Sequence, residues 1–307
     1  MEQIRNLNQL VESLQGQVLR RLVIAAGNDR CTIRAAAEAA DKGIAEVILV
    51  GHAQQIKEMC LEYSINSGLF NIVDEASTFG AGIIARDMVF EGRADVLMKG
   101  LINTDQYMHL ILDKERGLLP KGAVLTHITC LEIPEYVRLH NKLLFAGDAA
   151  IIPAPDLSTK AKMINYAVEI AHSFGVETPK VAVIAPTEKV LPKITSCVEA
   201  AALAKMGDRG QFGTCLVDGP LALDVAISPK SCQVKNLHTT TEGTADILIF
   251  HCLEAGNTFY KACTTFAQAK AAGIVAGAGA PCVLTSRADS EESKFYSIAL
   301  GCRMVKA

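Results

Sequence analysis

Short apolar runs ending in glycine alternate with alanine-rich helical stretches along most of the chain, and that rhythm leaves few folds open. LVIAAG (Leu22–Gly27) precedes CTIRAAAEAADKG, and EVILVG (Glu46–Gly51) precedes a helical pattern over 53–63. After a helix over 75–90, ADVLMKG (Ala94–Gly100) leads into a helix that begins near Thr104, and a strand follows over 123–129. A strand buried on both faces reads as a continuous apolar run, and parallel neighbours need a crossover of helical length between them. The pattern therefore predicts βαβ units and a parallel sheet. Between Ile133 and Pro155 the rhythm breaks: the stretch carries three prolines and shows no crossover helix. It reads as antiparallel or irregular chain where one α/β half passes into the next, near residue 147. Alternation then resumes, with helices over 158–174, 190–205, 256–271 and 290–300. The strands of this half fall over 180–185, 213–217, 245–250, 274–276 and 282–285.

Half of the 307 residues are hydrophobic and 21% are charged, enough for a sizeable core. The formal charge is −3 with no long run of one sign, which argues against nucleic acid and against electrostatic attachment to membranes. No apolar run approaches the roughly 18 residues that crossing a bilayer requires. MEQIRNLNQLVESL reads as a polar amphipathic helix rather than a signal sequence. The ten cysteines are scattered without a CxxC pair, as expected of buried reduced thiols in a cytoplasmic protein. The seven histidines do not pair at metal-ligand spacing, so no metal site is expected.

Motifs for nucleotide hydrolysis, zinc proteolysis and serine hydrolysis are absent, and GAGAP (Gly277–Pro281) departs from GxGxxG. The informative residues are polar ones at the carboxyl ends of the strands, where open α/β sheets bind their ligands. These are Gly27-Asn28-Asp29-Arg30; Lys99, Gly100 and Thr104; Asp148 after the run Leu143–Gly147; Gly256, Asn257 and Lys261; and Ser286 with Arg287. Lys99, Lys261 and Arg287, helped by helix N-terminal amides, would suit an anion.

DVLMKGLINTDQYM, VDGPLALDVAIS, TADILIFHCLEAGNTFYK and APCVLTSRADSEESKFYSIAL resemble the phosphate acetyltransferase/phosphate butyryltransferase family, nearer its butyryl branch. The likeness runs from about Leu22 to Leu300. It implies an α/β fold of two Rossmann-like three-layer domains with a cleft between them, of the isocitrate/isopropylmalate dehydrogenase type. One domain would be 1–147 plus 274–307, the other 148–273. The implied reaction is acyl-CoA + phosphate ⇌ acyl phosphate + CoA, with short acyl chains and butyryl-CoA preferred. Coenzyme A is then a substrate, with no permanently bound cofactor and no metal. Ser286 and Arg287 match the Ser-Arg motif of the acyl-transfer centre: Arg287 would grip phosphate bidentately and Ser286 would donate to the carbonyl oxygen. Lys99, Gly100, Thr104, Thr126, Asn257 and Lys261 match substrate-binding positions.

One departure stands out. The acetyl branch carries an aspartate seven residues after the motif serine as its proposed thiol base, and here that position is Ser293. Asp289 and Glu292 become the candidates. The resemblance also implies a homodimer or higher oligomer and a link to an acyl-phosphate kinase. Competing readings are a phosphate acetyltransferase, a CoA-binding protein with lapsed activity, and a metal-dependent decarboxylating dehydrogenase. The last needs a cluster of aspartates, to which only Asp218 and Asp224 come near.

Overall fold

A computed structural model describes residues 2–286 and 289–306. In chain order its strands are β1 (Arg20–Ala25), β2 (Ala45–Gly51), β3 (Phe70–Asp74), β4 (Val96–Lys99), β5 (Thr126–Glu132), β6 (Leu144–Gly147), β7 (Lys180–Ile184), β8 (Leu216–Leu221), β9 (Ile247–Ile249), β10 (Lys270–Ala276) and β11 (Cys282–Val283). The helices are α1 (Leu7–Glu12), α2 (Arg30–Asp41), α3 (Ala53–Glu62), α4 (Thr78–Phe90), α5 (Thr104–Ile111), α6 (Pro134–His140), α7 (Leu157–Ser173), α8 (Thr195–Asp208), α9 (Leu223–Ile227), α10 (Pro229–Val234), α11 (Leu253–Thr265) and α12 (Glu291–Arg303). The chain divides into two units. The first joins Leu7–Leu125 to the chain from Ala271 onward, and the second joins the residues before Leu7 to Thr126–Lys270.

In the first unit the strand order is β3-β2-β1-β4-β11-β10. Every neighbouring pair is parallel except β10 with β11. The apolar runs of β1, β2 and β4 are buried almost throughout, as strands covered on both faces must be. Helix α2 starts where Asp29 caps it, accepting from the Thr32 N–H at 3.0 Å, and it buries Ile33, Ala35, Ala36 and Ala39. Helix α12 packs on α2 and is buried continuously from Lys294 to Cys302. At the end of β4 the Gly100 N–H donates to the Ala25 carbonyl at 2.9 Å. A Cβ on Gly100 would collide with the Ala25 and Ala26 carbonyl oxygens, so only glycine lets the two strand ends approach so closely.

Tyr107 of α5 fastens the same end of the sheet. Its fully buried hydroxyl lies 3.0 Å from the Leu97 carbonyl of β4 and 3.2 Å from the Val283 carbonyl of β11. Burial pushes its ionisation well above the ordinary tyrosine range, so it remains a donor at neutral pH.

In the second unit the order is β5-β6-β9-β7-β8, with β5 and β6 antiparallel and the rest parallel. Asp148 follows β6 and is 2% exposed. Its carboxylate accepts from the Thr126 hydroxyl (2.8 Å) and from the backbone N–H groups of His127 (2.8 Å), Ala150 (2.7 Å) and Ile151 (2.7 Å). Helix α11 presses on this turn. A Cβ on Gly256 would run into the Asp148 carbonyl oxygen, and the Asn257 amide donates to the Ala149 carbonyl at 2.9 Å.

The structure departs from the sequence expectation in several places, among them the short helices α9 and α10. The proline-rich crossing contains a helix, α6, because Pro134 occupies its first turn, where a missing N–H costs nothing. Strand β3 was not expected. The units change at 125/126 and 270/271 rather than at 147/148 and 273/274, since β5 pairs with β6 and β6 with β9. Among the described residues no helix is long and apolar enough to cross a membrane, and no group of three His, Cys, Asp or Glu is gathered as metal ligands would be. All ten cysteines are free thiols; burial pushes Cys263 up to about 11 and Cys282 and Cys302 up to about 12.

Two substitutions test these fastenings. Tyr107→Phe leaves two strand carbonyls without their donor, at a cost of about 0.5–1.5 kcal/mol. Gly256→Ala must push α11 off the Asp148 turn, and overpacking of that kind costs about 1–3 kcal/mol. Thermal unfolding should show midpoints lowered by roughly 2–4 °C per kcal/mol. A wild-type midpoint in either variant would contradict the packing described.

Candidate active site

The carboxyl ends of β4 and β11 lie side by side in the parallel part of the first unit. Lys99 is the last residue of β4 and only 3% exposed; its ammonium donates to the Gly100 carbonyl at 3.2 Å. The chain leaving β11 supplies Thr285 and Ser286. The Ser286 N–H donates to Asp289 Oδ2 at 2.7 Å and the Asp289 N–H returns to the Ser286 carbonyl at 3.2 Å, a local turn that leaves Ser286 exposed.

These two strand ends enclose a cavity of about 160 Å³ lined by Asp29, Lys99, Gly100, Leu101, Thr285, Ser286 and Lys294. Lys294, in the first turns of α12, is 4% exposed. It donates to Asp29 Oδ1 at 3.2 Å and to the Thr32 hydroxyl at 2.9 Å. The cavity thus has two buried ammonium groups, one carboxylate, two hydroxyl-bearing residues and the bare backbone of Gly100. Its volume suits a phosphoryl-sized anion, and its donors suit a negative charge.

The residues picked out in the sequence fall into distinct places. Lys99, Gly100 and Ser286 come together around the cavity. Thr126 and Asn257 sit together in the second unit, and both spend their side chains on the Asp148–Ala149 turn. Thr104 is exposed at the start of α5. Lys261 is exposed on α11, with its ammonium 5.1 Å from the Tyr260 ring centre. Of the two base candidates, Asp289 shapes the Ser286 turn, and Glu292 is exposed in the first turn of α12. Arg287 lies outside the described residues. Ser293, at the departure from the acetyl branch, donates its N–H to Ser290 Oγ at 3.1 Å, the hydrogen bond by which Ser290 caps α12.

Asp29, from the strand end Gly27-Asn28-Asp29-Arg30 singled out in the sequence, also lines the cavity. Lys294 was not foreseen, and it gave one available signal: a lone lysine opening the otherwise apolar stretch KFYSIALGC. A further polar cluster occupies the second unit, where the buried Lys160 ammonium meets Glu199 Oε2 at 2.5 Å and His251 Nδ1 at 3.1 Å. Partial burial, and then the neighbouring Lys160 charge, hold the His251 imidazolium below the ordinary histidine range.

The family described as Phosphate acetyl/butaryl transferase matches residues 6–80 and 78–302. The phosphate butyryltransferase of Clostridium acetobutylicum is 38% identical over 297 residues, 97% of each chain. The phosphate acetyltransferase of Thermotoga maritima is 40% identical over 294 residues, 96% of this chain and 98% of its own. The crystal structure of a branched-chain phosphotransacylase from Enterococcus faecalis superposes with a TM-score of 0.81 at 29% identity, over 94% of this chain and 99% of that one. With a family match over nearly its whole length and relatives of this identity, the chain belongs to the phosphate acetyl/butyryl transferase family: it is a phosphate acyltransferase that moves an acyl group reversibly between coenzyme A and phosphate.

Proposed function

We propose that this enzyme is a short-chain phosphate acyltransferase with a butyryl optimum, working at the cavity between the ends of β4 and β11. The observation that carries the reading is the meeting of two buried ammonium groups, Lys99 and Lys294, with Ser286 around a space of phosphoryl size. Phosphate lies against the lysines. Coenzyme A is too large for the cavity and brings its thioester to the exposed Ser286. A phosphate oxygen attacks the thioester carbonyl, and the Ser286 hydroxyl donates to the oxygen that gains charge. The carbon–sulfur bond then breaks. Arg287, by its place in the Ser-Arg motif, holds phosphate bidentately. Proton transfer at sulfur falls to Asp289 or Glu292. Thr104 belongs to the coenzyme A path at this cavity in this reading; in the second unit Thr126 and Asn257 serve the Asp148–Ala149 turn, and Lys261 stays a substrate-binding candidate by its place in the motif.

The butyryl preference rests on the LTSRADS and DGPLALDVA stretches and on Ser293 in place of the acetyl branch's aspartate. The 40% identity to a phosphate acetyltransferase favours the second reading, an acetyl optimum. Ten free cysteines support a reducing, cytoplasmic setting. The reactive acyl phosphate requires a consumer, and an acyl-phosphate kinase fits it; we further propose a homodimer or higher oligomer.

Lys99→Gln should raise the phosphate KM at least about tenfold with little change in the acyl-CoA KM, since a charge-assisted contact contributes roughly 1.5–3 kcal/mol. Arg287→Ala should cut kcat severely and raise the phosphate KM, with Arg287→Lys restoring only part. Unchanged phosphate kinetics in both alanine and glutamine variants would remove the site from this cavity. For chain length, each buried methylene adds about 0.8 kcal/mol, so two favour butyryl- over acetyl-CoA by roughly tenfold in kcat/KM. A panel of acetyl-, propionyl-, butyryl- and isobutyryl-CoA that falls steadily from acetyl upward would establish the acetyl reading instead.

A further inference from the structure

We propose that the groove between helices α4 and α5 of the first unit binds the adenine ring of coenzyme A, with Phe79 as its stacking face and Gln106 reading its edge. This rests on the reading of the cavity between β4 and β11 as the acyl-transfer site, and it assigns the other end of the same substrate.

That cavity measures about 160 Å³, enough for a phosphoryl group, so nearly all of coenzyme A must lie outside it. A wider space opens in the same unit. It measures about 440 Å³, within the range of small-ligand sites, and is lined by Phe79, Asp105, Gln106 and His109. A short piece of chain joins the two. Leu101 lines the cavity, and Asp105 follows four residues later, at most about 14 Å away. Two amide units and a diphosphate separate the thiol of coenzyme A from its adenine, an arm long enough for that span.

The walls of the groove are fixed. A Cβ on Gly82 would stand 2.6 Å from the Cδ1 atoms of Ile102 and Leu110, so α4 and α5 touch there with no side chain between them. Phe79, in the first turn of α4, is 37% exposed. Among the described residues no other ring and no cation stacks on it. Asp105, Gln106 and His109 stand at i, i+1 and i+4 on α5, so their side chains share one side of the helix. The Gln106 side-chain amide is half-buried and makes no hydrogen bond among the described residues.

Adenine answers these features in turn. It is the one flat aromatic part of coenzyme A, so it alone can stack on Phe79. Its edge shows an amino donor beside a ring-nitrogen acceptor, which a glutamine amide matches with its own oxygen and N–H. The free ribose hydroxyl can donate to Asp105, whose carboxylate only accepts. The acyl chain, by contrast, offers Gln106 no polar edge.

Kinetics and labelling together test the assignment. Butyryl-CoA is compared with butyryl-pantetheine, which keeps the thioester and lacks the nucleotide, in wild type, Phe79→Ala and Gln106→Ala. Wild-type kcat/KM should favour butyryl-CoA at least about tenfold, as stacking of one base on an aromatic side chain allows. That ratio should fall to about threefold or less in each variant. The wild-type chain is also irradiated with coenzyme A carrying 8-azidoadenine, and the labelled peptides are mapped. Label should fall within 78–90 or 104–111, and excess coenzyme A should remove it. Label elsewhere would overturn the proposal, as would a wild-type ratio near one or a tenfold ratio that persists in both variants. A groove covered by a second copy of this chain would stay unlabelled, and Phe79→Ala would then change the sedimentation of the protein; that result also overturns it. The cavity reading is tested apart from this, because Lys99→Gln acts on the phosphate KM and the groove variants act on the ratio of the two thioesters. Labelling of the wild type decides the matter even where a variant folds poorly.

Discussion

The ammonium of Lys294 spans 265 residues of sequence to reach Asp29, and the first unit depends on that contact. An ammonium that is 4% exposed must be paired, because an isolated charge in the interior costs several kcal/mol. Asp29 and Thr32 meet that demand from the first turn of α2. The partner is itself fixed, because Asp29 also closes the first turn of the helix by capping it. The pair therefore sets how α12 lies on α2 and brings the chain beyond β11 against the first crossover helix. Ser286, between β11 and α12, is placed beside Lys99 as a consequence. Tyr107 does the complementary job below them, holding β4 to β11 by one hydroxyl.

Much of this fold was legible because burial on both faces writes itself into sequence. Leu22–Ala25, Val47–Val50 and Val96–Met98 are apolar without interruption, and each lies within a parallel strand. Strand β3 escaped for the opposite reason. FNIVD sits at the edge of the sheet with only Phe70 buried, so its pattern has no continuous apolar run. Helix α6 escaped because Pro134 was read as a breaker when it stands at the one helical position that proline favours. The unit boundary moved with β5, whose antiparallel pairing to β6 is a long-range contact that no local period encodes.

The candidate site divides along the same line. Residues at strand ends, such as Lys99, Gly100 and Ser286, were legible because the strand before each was. Asp29 was legible as a strand-end residue, but its pairing with Lys294 was not, since that lies in a meeting across the chain. The EAGN stretch shows that a motif can be specific without all of its residues facing a ligand. Gly256 is needed for the close approach to the Asp148 carbonyl, and Asn257 donates to the next carbonyl along. Asp148, in turn, accepts four hydrogen bonds and is saturated by them. These residues shape a backbone turn, which is one way a motif positions chemistry without taking part in it.

The contrast between the two buried carboxylates sharpens the argument about the cavity. Asp148 has all its lone pairs served by the protein and needs nothing more from a visitor. Asp29 is served on one oxygen only, beside two buried ammonium groups and a space of phosphoryl size. Buried ion pairs are poor stabilisers, because the cost of taking both charges out of water nearly cancels their attraction, and apolar residues of the same volume often do as well. Stability alone therefore gives little reason for Lys294 and Asp29 to occupy this position in preference to a leucine and a methionine. A dianion in the cavity gives a reason for the lysine, and the lysine gives one for the aspartate. The ammoniums balance the dianion's charge, and Asp29 Oδ1 holds the Lys294 ammonium at 3.2 Å, so the cation stays in place at the cavity wall.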